Sequence, residues 1–310
     1  MRRLIRYGTW LVLAAGLWSC AAARYAIGPT DAQIESLPAE GIVQAVTCPS
    51  SEKDIESRRL LVYLPPSYAQ DSLRRYPVLY LLHGARGNEL TWVERGDILG
   101  KIDSLRRDGA ICDFILVLPN MNNYFGQKDY RQGRAVAATR AFWTVDGEVE
   151  RHFMTDVVAN VDSLFRTQAD KSGRAIAGMS SGALQALYLA AGHPDAFGCI
   201  GLFSAYAHNT VASVGHRDVY SKIWDKLERQ FADPPKEFCI YIGRKDIFYP
   251  HMKHFDARMT RKGYAHRFIV TEGGHRWENW SAYAPDFIQI SFPSSAPRPI
   301  SPLPLCRINN

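Results

Sequence analysis

The chain has 310 residues, 46% hydrophobic and 12% aromatic, with 37 Lys and Arg against 31 Asp and Glu, for a formal charge of +6. That apolar content supplies one large core and excludes an intrinsically disordered chain. The basic residues form no block or stripe, and Arg2, Arg3 and Arg6 stand at the very start, so the charge gives no support to nucleic-acid binding.

After those arginines, Tyr7 to Trp18 is almost wholly apolar. A run of about a dozen residues is too short to span a bilayer as a helix, but it matches the apolar segment of a secretion signal. It closes in Leu17-Trp18-Ser19-Cys20, which resembles a bacterial lipobox whose cysteine, here Cys20, becomes the lipid-bearing first residue. Trp18 is bulkier than the residue usual there, and ordinary cleavage near Ala21 to Ala23 is the alternative. The expectation is export to the cell envelope, as a periplasmic or outer-membrane lipoprotein held to the membrane by its lipid. The segments expected are a signal over 1–19, a tether over 20–40, one folded domain over 41–290 and a Pro/Ser-rich tail over 291–310.

Within the domain, Arg59 to Leu64, Tyr76 to Leu82 and Phe114 to Leu118 are short runs apolar on both faces. Such runs, separated by helix-length stretches, predict a mostly parallel sheet covered on both sides. Val149, Phe153, Val157, Val161 and Phe165 recur every four residues, an amphipathic helix. Ala175-Ile176-Ala177 is a further strand, followed by a small-residue helix from Ala183 to Ala191 that is apolar nearly all round and ends at His193-Pro194. Gly198 to Phe203, Phe238 to Ile242 and Arg267 to Val270 complete the strand candidates. The pattern is a doubly wound α/β domain.

Cys48, Cys112, Cys199, Cys239 and Cys306 are irregularly spaced, which excludes a structural zinc site of the usual kind. Cys199 and Cys239 lie in strand runs and are read as small buried hydrophobes. One disulfide among Cys48, Cys112 and Cys306 is permitted in an exported chain, with no pairing indicated. His251 and His254 have no third ligand nearby, and no metal or cofactor is expected.

The chemistry centres on Gly178-Met179-Ser180-Ser181-Gly182, between the strand at Ala175 and the helix at Ala183. A G-x-S-x-G turn from strand to helix holds its serine in a strained conformation with the hydroxyl exposed, and flanking glycines avoid collisions with neighbouring elements. The next amide, Ser181 N–H, opens the helix and can donate to a developing oxyanion.

A serine hydroxyl needs a base, and the base an orienting carboxylate. Gly243-Arg244-Lys245-Asp246 and Gly273-Gly274-His275 each follow a strand, so both residues arrive at the same sheet edge as Ser180. His275 is the expected base and Asp246 the expected acid, with Glu272 and Asp256 as nearby alternatives. The second oxyanion donor is expected in His83-Gly84-Ala85-Arg86-Gly87, at the Ala85 amide, with His83 bracing that loop. Arg86, Trp92 and Tyr124 are candidate walls of the substrate cleft. The 120–147 stretch is the candidate lid, and Trp277 with Trp280 is expected to pack the last helix onto the fold.

Several segments together resemble the esterase D-like esterases of the α/β-hydrolase fold. These include family 1 carbohydrate esterases, S-formylglutathione hydrolases and, more remotely, mycolyltransferases. The resemblance covers roughly Gly41 to Phe287 and rests on Val62 to Tyr68, Tyr76 to Gly84, Arg174 to Gly182, His193 to Gly198, Gly243 to Asp246, and Gly273 to Trp280. It implies a serine ester hydrolase working through an acyl-enzyme, with Ser180, Asp246 and His275 as triad and the Ala85 and Ser181 amides as oxyanion hole. It implies no cofactor, and a small-molecule or polysaccharide ester as substrate, with acetyl or feruloyl the acyl groups expected. Ser181 stands where the family usually has Met, and Ala183 where Gly is common. The competing readings are an acyltransferase on the same triad and a glycan-binding lipoprotein without activity.

Overall fold

The computed structural model describes residues 30–51, 58–85, 87–121, 147–207, 218–294 and 306–307. Its strands are β1 (Ile42–Cys48), β2 (Arg58–Leu64), β3 (Val78–Leu82), β4 (Ile115–Pro119), β5 (Arg174–Met179), β6 (Cys199–Phe203), β7 (Glu237–Gly243), β8 (Arg267–Thr271) and β9 (Cys306–Arg307). They form one sheet in the order β1-β2-β4-β3-β5-β6-β7-β8-β9. From β4 through β8 every neighbouring pair is parallel, while β2 runs against β1 and β4, and β9 against β8. This is the α/β-hydrolase architecture, a mostly parallel, doubly wound sheet.

The helices are α1 (Asp31–Glu35), α2 (Thr91–Gly96), α3 (Ile98–Arg107), α4 (148–164), α5 (Ser181–Gly192), α6 (Ile223–Gln230), α7 (Tyr249–Arg261) and α8 (Trp277–Ser291). Alternation along β3 shows how they divide. Val78, Tyr80 and Leu82 face the core layer built by α4, α5, α6 and α7, whereas Leu79 and Leu81 face the layer built by α1, α2, α3 and α8. Both faces of the strand are apolar because both are covered.

The four-residue spacing in α4 has a structural counterpart. In an α-helix, four residues overshoot one turn by about 40°, so five positions spaced by four would spiral off the core. Phe153–Val158 instead forms a π-helical segment between the α-helical Glu148–His152 and Ala159–Leu164. Its wider i→i+5 turns absorb the excess, and Val149, Phe153, Val157, Val161 and Phe165 are all buried.

Two features place the functional edge. The chain moves from β3 to β4 on one side and returns to β5 on the other side of β3, which opens a crevice beyond the carboxyl ends of these strands. The loops after β3, β5, β7 and β8 all emerge at that edge. Strand β1 was not expected from the sequence. It is an edge strand with partly exposed residues along much of its length, so it lacks a continuous apolar run.

Candidate active site

Strand β5 runs straight into the turn at Ser180, whose φ of 55° and ψ of −118° depart from the ordinary regions for a residue with a side chain. Its amide donates to the Phe203 carbonyl at 2.9 Å, fixing the turn to the end of β6. The two glycines are required by contact. A Cβ on Gly178 would lie 2.5 Å from the Gly182 carbonyl, and one on Gly182 would lie 2.3 Å from the His83 carbonyl oxygen. Their absence lets α5 close down on β5 and on the end of β3.

Asp246 follows β7 in a tight turn, its amide donating to the Gly243 carbonyl at 2.9 Å. The Lys245 amide donates to the Gly273 carbonyl at 2.8 Å, which joins this loop to the one carrying His275. The histidine loop is held further by Asn279, whose side-chain amide donates to the Gly274 carbonyl at 3.0 Å.

The three side chains meet. His275 Nδ1 lies 3.0 and 3.2 Å from the two Asp246 carboxylate oxygens, and His275 Nε2 lies 2.9 Å from Ser180 Oγ. A carboxylate only accepts, so the neutral imidazole carries its proton on Nδ1 and offers an empty Nε2 to the serine hydroxyl. Burial alone would raise the Asp246 pKa. The hydrogen bonds from His275, the Phe248 amide and the Ser204 hydroxyl outweigh that burial and hold it below the usual carboxylate range. Phe248 and Trp280 meet the imidazole edge-on, with ring centroids 5.2 and 4.8 Å away.

Neither alternative acid is engaged with the histidine. Glu272 is exposed and pairs with Arg244, while Asp256 pairs with His266 at 2.9 Å.

The loop after β3 stands against the serine turn, where a Cβ on Gly84 would lie 3.5 Å from Ser180 Cβ. Ala85 is exposed at the next position, and Ser181 opens α5, whose first amides have no helical acceptor. His83 braces this loop, as expected. It is buried, its Nδ1 bonds the Gly84 carbonyl at 2.8 Å, and its Nε2 accepts from the Met121 amide at 2.9 Å.

Trp92 requires a correction. Only 1% of it is exposed, its indole N–H donates to the Leu82 carbonyl at 3.0 Å, and its ring packs between Phe203 and Trp277. The side chain braces the end of β3 from below and lines no cleft. Trp277 and Trp280 do pack α8 onto the fold, touching one another and, through Trp277, Trp92. Arg86, Tyr124, Cys20 and most of the 120–147 stretch lie outside the described residues.

Sequence reasoning missed Ser204, which is fully buried beside Asp246 and takes a hydrogen bond from Trp280 Nε1 at 3.0 Å. A polar residue directly after the apolar run of β6, at the edge where the other site residues gather, was the available signal. Among the described residues there is no cluster of three or more side chains able to hold a metal ion.

The sequence profile of the putative esterase family matches residues 51–291. The chain belongs to that family. Over 246 residues it is 34% identical to an endo-1,4-beta-xylanase/feruloyl esterase of Xylanibacter ruminicola, a match covering 77% of this chain and 30% of that protein. The chain thus spans less than a third of that relative's length. A ferulic acid esterase structure aligns with a TM-score of 0.68 and 26% identity, over 82% of this chain and 99% of the other. The S-formylglutathione hydrolase of Staphylococcus aureus shares the fold at a TM-score of 0.62 and 17% identity, over 82% of this chain and 98% of its own.

Proposed function

We propose that this esterase-family chain is a serine carboxylic-ester hydrolase in which Ser180 is the nucleophile, His275 the general base and acid, and Asp246 the group that orients it. The observation that carries the reading is the unbroken line of contacts from Asp246 through His275 to Ser180, with 2.9 Å between His275 Nε2 and Ser180 Oγ. That is within the reach a general base needs.

In the first half-reaction the Ser180 proton passes to Nε2 as Oγ bonds to the ester carbonyl carbon. The carbonyl oxygen becomes an oxyanion, which the Ala85 and Ser181 amides stabilise; removing one such donor costs about 10²–10³-fold in kcat in comparable sites. Collapse breaks the bond to the alcohol, which takes its proton from Nε2. A water then gives a proton to Nε2, attacks the acyl-enzyme and releases the acid, and the proton returns to Ser180 Oγ.

The substrate class rests on kinship. The relatives are named as feruloyl and ferulic acid esterases, and the leader over 1–19 suits an exported protein, so the proposed substrates are acetyl or feruloyl esters on polysaccharide. The proposed location is the cell envelope, with Cys20 as lipid attachment. No described helix is long and apolar enough to cross a membrane. The proposed membrane contact is the lipid on Cys20. Cys20→Ser is expected to move the protein from the membrane fraction to the soluble fraction; an unchanged distribution contradicts the lipid anchor.

The function is tested with p-nitrophenyl acetate and butyrate, then with feruloylated and acetylated xylan. Wild type is expected to hydrolyse the activated esters, and Ser180→Ala to lose about 10⁴-fold or more in kcat. Equal turnover by both proteins would contradict the assignment of Ser180.

A further inference from the structure

We propose, building on the triad reading above, that Asn279 is a positioning residue. Its side-chain amide lies between the loop carrying Asp246 and the loop carrying His275 and fixes one against the other.

Asn279 is half-buried on the first turn of α8, which begins directly after the histidine loop. Its Nδ2 donates back to the Gly274 carbonyl at 3.0 Å. That carbonyl belongs to the peptide joining Gly274 to His275, so the bond holds the peptide plane from which the imidazole hangs. The same amide fills space left open by two glycines, one from each loop. A Cβ on Gly243, the last residue of β7, would lie 2.6 Å from Asn279 Nδ2, and one on Gly273 would lie 2.9 Å from Asn279 Oδ1. Gly273 also has φ of 93°, a conformation that favours glycine.

The main chains beneath the amide are already joined. Strands β7 and β8 pair as far as Gly243 and Thr271. Past their ends the Arg244 amide donates to the Thr271 carbonyl at 2.7 Å, and the Lys245 amide to the Gly273 carbonyl at 2.8 Å. These bonds reach Lys245, one residue before Asp246, and Gly273, two residues before His275. The next carbonyl along, Gly274, is the one Asn279 holds.

The chemistry of the amide matters as well as its shape. A carbonyl only accepts, so Nδ2 must face Gly274, and aspartate, equal in size but without a donor when ionised, cannot replace it. His275 must reach Asp246 at 3.0 Å and Ser180 at 2.9 Å from one ring. A drift of about 0.5 Å at that ring leaves the productive geometry. Without the Asn279 bond the Gly274–His275 peptide is free to turn, and Nε2 spends less time on the serine.

The test measures kcat and KM on p-nitrophenyl acetate, the rate of fluorophosphonate labelling of Ser180, and thermal unfolding. The proteins are wild type, Ser180→Ala, Asn279→Ala, Asn279→Asp and Tyr283→Phe. Tyr283 also fastens α8 to β8, through its hydroxyl and Thr271 Oγ1, but touches neither loop carrying the triad by that bond. Asn279→Ala is expected to lose about tenfold in kcat, the size of one well-placed hydrogen bond, with KM within about twofold. Labelling of Ser180 should slow by a similar factor, since it needs the same activated hydroxyl. Asn279→Asp should lose at least as much, and Tyr283→Phe should lower the unfolding temperature while keeping kcat within about twofold. Should the aspartate variant fail to fold, the alanine variant decides. The proposal is overturned if Asn279→Ala keeps kcat and labelling within about twofold of wild type, if its loss lies in KM instead, or if Tyr283→Phe loses as much kcat. An inactive wild type, or an active Ser180→Ala, would instead overturn the triad reading.

Discussion

His83 shows how one side chain ties the oxyanion loop to a pH dependence. Its Nε2 accepts from an amide and its Nδ1 faces a carbonyl, so only the neutral ring with the proton on Nδ1 satisfies both. Burial lowers its pKa from 6.5 to about 4. Between those values the unfolded chain takes up a proton that the folded protein refuses, so this residue's contribution to stability is complete above pH 6.5 and is lost as the pH falls toward 4. The full span is on the order of 3 kcal/mol. Thermal unfolding measured from pH 7 to 4 should therefore fall more steeply for wild type than for His83→Asn; equal slopes would contradict the buried neutral ring. At this scale the candidate triad was legible in the sequence, because Ser180, Asp246 and His275 each follow a strand and sit beside glycines. Trp92 was not, since an aromatic residue after a glycine-rich loop reads alike whether it faces a cleft or lies beneath the strand end, and only its packing decides. Ser204 was hidden for a related reason: the group that donates to its hydroxyl, Trp280 Nε1, comes from across the fold, which chain order does not reveal.

Among the elements, the serine turn and α4 carry the sharpest consequences. Gly182 lets the first turn of α5 rest against the end of β3, and an added Cβ would lie 2.3 Å from the His83 carbonyl oxygen. Gly182→Ala should push α5 and the Ala85 loop apart, costing about 1–3 kcal/mol of stability and most of the ester hydrolysis. A fully active, equally stable variant would contradict the contact. In α4, Phe153 is buried on the π-helical segment and meets Tyr80 edge-on at 5.7 Å. Phe153→Ala should lower unfolding stability by about 3–5 kcal/mol in denaturant titration; a loss below about 1 kcal/mol would mean the π segment is not seated on the core. The five-position repeat was visible in the sequence, but the π segment was not deduced from it, because a spacing of four was read as an ordinary helix. Strand β1 escaped for the opposite reason, having no apolar run to mark it.

For the whole molecule, the sheet separates two apolar layers and gathers the loops that follow β3, β5, β7 and β8 at one edge. The division into nearly continuous apolar strands and longer amphipathic segments made that architecture readable, since a sheet covered on both faces has no polar side to disguise it. The thiols add a test at this scale. Cys48, Cys112, Cys199 and Cys239 are unpaired, and all but Cys112 are buried. Burial raises the pKa of the Cys48 thiol to about 11 and pushes Cys199 and Cys239 up as well. Thiol titration should therefore count at least these four in denaturant, with Cys48, Cys199 and Cys239 inert in the folded protein; fewer than four in denaturant would show a disulfide among them.

The central claim is that Ser180 is a nucleophile activated by His275. Its most direct test is intact-mass and peptide-mapping analysis after treatment with a fluorophosphonate, run beside ester hydrolysis. The account predicts one adduct per chain, located on Ser180, with hydrolysis lost in step with labelling, and neither labelling nor hydrolysis in Ser180→Ala. An adduct on another residue, or hydrolysis that survives complete labelling of Ser180, would contradict it.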